Sequence, residues 1–76
     1  MPQQAESAMS NLEYDLLTVL QNKAEAIKAY ETYIEDASRQ NSQPCVELFR
    51  KLRDADLQQV QEVREHLQQV MVHGRM

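Results

Sequence analysis

From Leu12 onward the apolar residues recur at steps of three and four: Leu12, Leu16, Leu17, Val19, Leu20, Ala24, Ala26, Ile27, Tyr30, Tyr33, Ile34 and Ala37. That spacing returns side chains to one side of a helix, so it predicts a helix over about 11–38. Asp15, Gln21, Asn22, Glu25, Lys28, Glu35 and Asp36 fill its outer side. Ser10-Asn11-Leu12-Glu13 supplies the start, because the serine hydroxyl accepts from the third helical amide while Glu13 reaches back to the serine amide. Ser38 to Pro44 loses the pattern and gains turn-forming side chains. Pro44 lacks an amide hydrogen and suits the first turn of a following helix. That second helix is predicted over about 44–73, where Cys45, Leu48, Phe49, Leu52, Ala55, Val60, Val63, Leu67, Val70 and Met71 recur at the same spacing. Gly74 then offers a left-handed stop. Residues 1–9 show no periodicity and are expected to form a loose tail, which leaves 10–76 as the folded part.

Two helices of matched length, about 42 Å each at the usual rise, joined by a short connection, should double back on each other. The fold class expected is therefore all-α, an antiparallel two-helix hairpin. Folding the chain about residue 41 sets Ile34 against Leu48, Tyr30 against Leu52, Ile27 against Ala55, Leu20 against Val63 and Leu16 against His66. The same register brings Lys23 to Gln59, with Asp56 one turn away. A polar level of Lys23, Asp56 and Gln59 thus interrupts an otherwise apolar seam.

The stripes are wider than one neighbour can cover. Leu17, Val19, Leu48, Val60 and Met71 would stay exposed on a lone hairpin, and a chain of 76 residues buries only roughly 60% of its unfolded surface. Uncovering several such side chains forfeits about several kcal/mol, comparable to the stability of a small domain. Homodimerisation into a four-helix bundle, with larger rings as an extension, follows as the expectation.

Composition narrows the function classes. Twelve acidic against eight basic residues leave a net charge of -4, which argues against nucleic acid or an anionic membrane as partner. Arg50, Lys51 and Arg53 are followed directly by Asp54 and Asp56, so no basic cluster stands alone. No apolar run is long enough to span a bilayer. One cysteine and no signal-peptide pattern point to a reducing, cytoplasmic setting. One Gly and two Pro agree with helix nearly throughout.

Glu25-Ala26-Ile27 with Tyr30 on the first helix, and Leu52-Arg53-Asp54 with Asp56 on the second, resemble the encapsulated ferritins, short two-helix relatives of ferritin that oxidise iron at a site shared between two hairpins. The resemblance spans about residues 12 to 70. It implies a four-helix assembly with a metal centre at the middle, but the ligands are replaced: the family's first glutamate falls on Lys23, and its Glu-x-x-His falls on Asp56-Leu57-Gln58-Gln59. Lysine has no lone pair to offer at neutral pH and glutamine is a poor ligand for iron or zinc. Lys23 with Asp56 would then neutralise what a metal once did.

Asp56, Glu62, Glu65 and His66 remain as candidates for a metal site completed by a dimer mate, with iron or zinc as the ion and Glu13 as the nearest additional ligand. The alternative is that Glu62 and Glu65 are solvated and His66 lies at the core edge. His73 suits the helix C-terminus. Cys45 is expected as a small buried residue, and Tyr14, Tyr30 and Tyr33 as core or core-edge residues. No phosphate loop, nucleophile elbow or cysteine pair is present. The expected function is non-catalytic: an oligomeric helical assembly or protein-interaction module without cofactor, or an adaptor docking a partner's helix. A metal-binding or iron-handling protein is the alternative.

Overall fold

A computed structural model describes residues 10–74, and the tail expected over residues 1–9 lies outside them. Two helices make up the described chain: α1, Asn11–Arg39, and α2, Gln43–His73. They pack along their length as a hairpin measuring 51 × 21 × 12 Å. The predicted boundaries agree within one residue.

Local chemistry explains each end. Glu13 N–H donates to Ser10 Oγ at 3.1 Å, and Ser10 N–H donates to Glu13 Oε1 at 3.0 Å, so the expected capping box forms. At the other end of α1, Asn41 N–H donates to the Ser38 carbonyl and Ser42 N–H donates to the Ala37 carbonyl. This nested pair of bonds needs a left-handed residue between them. Asn41 supplies it with φ 60, a conformation that asparagine tolerates better than most residues. Pro44 lies in the first turn of α2, where its missing amide hydrogen costs nothing. Gly74, at φ 79, ends α2 with its N–H on the Val70 carbonyl.

The seam between the helices is narrower than the apolar stripes. On α2, the inward positions Val46, Phe49, Arg53, Asp56, Val60, Val63, Leu67 and Val70 alternate at steps of three and four, and each is buried or half-buried. On α1, Glu13, Leu16, Leu20, Lys23, Ile27, Tyr30, Ile34 and Ala37 do the same. This is the seven-residue repeat of an antiparallel coiled coil. Ala37, Val46, Leu67 and Val70 are the buried apolar residues among those described. Tyr30, Tyr33 and Phe49 cluster near the turn, with ring centroids 5.7–6.5 Å apart.

Several pairings expected from the turn are corrected by this seam. Val46, a buried residue, leads α2 into the core, and Cys45 beside it is exposed. Leu48 and Leu52 are exposed rather than seated against Ile34 and Tyr30, and Ala55 and His66 also face outward. Val60, expected to be exposed on a lone hairpin, is half-buried on the seam. The buried and half-buried positions of the two helices pair best one residue off the expected register, with Ala37 and Val46 the buried residues nearest the turn. A one-position change in partner moves a side chain by about 100° around its helix. Of the tyrosines expected in the core or at its edge, Tyr30 is half-buried on the seam, whereas Tyr14 and Tyr33 are exposed.

Candidate functional site

Halfway along the hairpin, the seam turns polar. Lys23 arrives from α1 in a position where the repeat asks for an apolar side chain, and Asp56 occupies the corresponding kind of position on α2. Lys23 Nζ donates to Gln59 Oε1 at 2.6 Å and lies 3.4 Å from Asp56 Oδ1. The three residues expected to meet do meet. Side-chain exposure of 26% for Lys23 and 19% for Asp56 places the pair at the edge of the seam. An ion pair with this much water access contributes about 1 kcal/mol or less, so it acts more through geometry than through strength.

A second clamp lies beside it, and the sequence reading missed it. Arg53 occupies a seam position and sends its guanidinium outward to Glu31 of α1, with Nη1 3.2 Å from Oε2. The same side chain reaches its neighbour Asp54 at 3.4 Å. Its aliphatic stem covers the seam while the charged head stays wet. The signal was available: Val46, Phe49, Arg53, Asp56 and Val60 continue one repeat without a break, whereas Arg53 read as part of a basic run suggests a solvated face.

The remaining candidates do not converge. Glu62, Glu65 and His66 are exposed on α2. His66 Nδ1 lies 2.8 Å from the Glu62 carbonyl, an acceptor, so Nδ1 is the donor of that pair. Asp56 is engaged with Lys23. Among the described residues no three His, Cys, Asp or Glu side chains gather as a metal ligand set. His73 lies in the last turn of α2.

Two surface features complete the picture. A shallow groove at the open end of the hairpin is lined by Leu20, Leu67, Met71 and Val72, with Arg64 and Gln68 at its rim. No described helix is long and apolar enough to cross a membrane. Comparison of the chain with protein-family models, with curated proteins and with solved structures returns no match.

Proposed function

We propose that this protein is a non-catalytic assembly module: a helical hairpin that associates with itself, at least as a homodimer forming a four-helix bundle. One observation carries the reading. Leu12, Tyr14, Leu17, Val19, Tyr33, Leu48, Leu52, Leu57, Met71 and Val72 are exposed large apolar residues, against a buried core of four small or medium ones. In this reading Lys23, Asp56 and Gln59 form a structural layer that fixes how the two helices meet. A divergent ferritin-like hairpin without its metal centre is compatible with that layer, and the unpaired Cys45 fits a reducing, cytoplasmic setting.

Light scattering on the purified chain at micromolar concentration tests the proposal. A mass of two or more chains supports it, and a helical species at 8.9 kDa rejects it. A metal-binding reading is favoured by one observation, the exposed His66 with its Nδ1 on the Glu62 carbonyl, an arrangement common among metal ligands. Protein purified without chelator would then carry stoichiometric iron or zinc that His66→Ala abolishes. An adaptor role would appear as a partner's helix held in the groove beside Met71, with the chain itself monomeric.

A further inference from the structure

Across its length the hairpin is a layer 21 Å wide and 12 Å thick, so it has two broad faces, and they differ in charge. Glu31 meets Arg53 on the back, where Arg53 also reaches Asp54 and Arg64 stands seven residues from both Leu57 and Met71. A partner laid there would strip water from charges already paired within one chain. Lys23 meets Gln59, and Tyr33 meets Phe49, on the front. Seven-residue steps from Tyr33 lead through Ala26 and Val19 to Leu12, and no charge interrupts that row, as the centre of an interface requires. The same step from Gln59 leads to Leu52, with Leu48 and Ala55 in the row beside it. Leu12, Val19, Tyr33, Leu48 and Leu52 are exposed, while Asp15 and Asp36 lie at the outer edge of this face, where a polar rim belongs.

Resting on the self-association reading, we propose that two copies of this chain meet through their front faces with both turns at the same end, α1 of each lying over α2 of the other. The face fits itself. Counting levels from Ala37 and Val46, the buried residues nearest the turn, puts Tyr33 level with Leu48 and Leu52. Ala26 and Ala29 come level with Ala55, and Asn22 with Glu62. A two-fold axis along the hairpin keeps every level and exchanges the helices. Tyr33 then meets Leu48 and Leu52 of the second copy, alanine meets alanine at the middle, and Glu62 meets the side-chain amide of Asn22. Reversing one copy end for end would instead lay Leu48 and Leu52 over His66 and Glu62, burying a carboxylate against apolar side chains. The face, 51 × 21 Å in outline, has room for the about 800 Å2 that each partner contributes to a stable interface.

Sedimentation equilibrium on the full chain tests the choice of face. The wild type should sediment as two or more chains. Leu48→Glu with Leu52→Glu, on the front, should lower that mass, whereas Leu17→Glu with Leu57→Glu, on the back, should leave it unchanged. A monomeric wild type overturns self-association itself. A self-associated wild type whose mass survives the front pair, or falls with the back pair, overturns this inference alone. The direction is read by pulsed electron resonance from a spin label at Gln40→Cys in a Cys45→Ser background, with both faces otherwise wild type, so the result stands even if a glutamate variant loses its helices. Turns at one end hold the two labels within about 25 Å, and reversed copies hold them about 40 Å apart at the usual helical rise. The longer distance overturns the proposed arrangement.

Discussion

At the scale of residues, the polar layer is the feature whose role is most open to direct test. Lys23 and Asp56 sit where apolar side chains would hold the helices more firmly, with the exposed Gln59 accepting from Lys23, so replacing the charged pair should strengthen the hairpin. Lys23→Met with Asp56→Leu is expected to raise the melting temperature by about 4–8 °C for each kcal/mol gained. Lys23→Ala alone should lower stability by about 1 kcal/mol, because Asp56 and Gln59 lose their shared donor. A double variant that melted no higher than the wild type would mean that the layer holds the fold rather than specifying it. This level was legible from the sequence, since a lysine inside an apolar stripe and an aspartate inside another can be matched by counting from the turn. The Arg53–Glu31 clamp was not, because a cation in a run of cations gives no sign that its stem lies on the seam.

At the scale of elements, both helices were legible and their packing only partly so. The capping box at Ser10 is a local pattern, complete within four residues, and Ser10→Ala should cost about 1 kcal/mol in thermal or denaturant unfolding. The turn is also local, yet its geometry depends on one left-handed residue. Asn41→Gly should be tolerated or slightly stabilising, whereas Asn41→Ala should cost about 1 kcal/mol by forcing an alanine to the same positive φ. Equal melting of those two variants would remove the turn from the account. What counting from the turn could not fix was the one-residue offset that buries Val46 and exposes Cys45 and Leu48. Periodicity gives a stripe, but a stripe on so apolar a helix is wide enough to hold two different seams. The choice shows nearest the turn, where Ala37 and Val46 are the buried residues. Val70, only 1% exposed, anchors the other end, and Val70→Ala should cost about 2 kcal/mol. Met71, its 63% exposed neighbour, should cost the hairpin little.

At the scale of the whole molecule, the hairpin has a core too small for its surface. Four buried apolar residues at its two ends, a polar belt at its middle and exposed large apolar residues along its flanks fit the proposed self-association, in which other chains would complete the packing of each helix. Under that proposal association is part of folding stability, and mass action requires that stability rise with protein concentration. The direct measurement is the melting temperature of the wild-type chain, followed by circular dichroism from about 1 to 100 μM in chain. The account predicts a melting temperature that climbs steadily across that range. A cooperative transition at one temperature throughout, from a species sedimenting at 8.9 kDa, would contradict it.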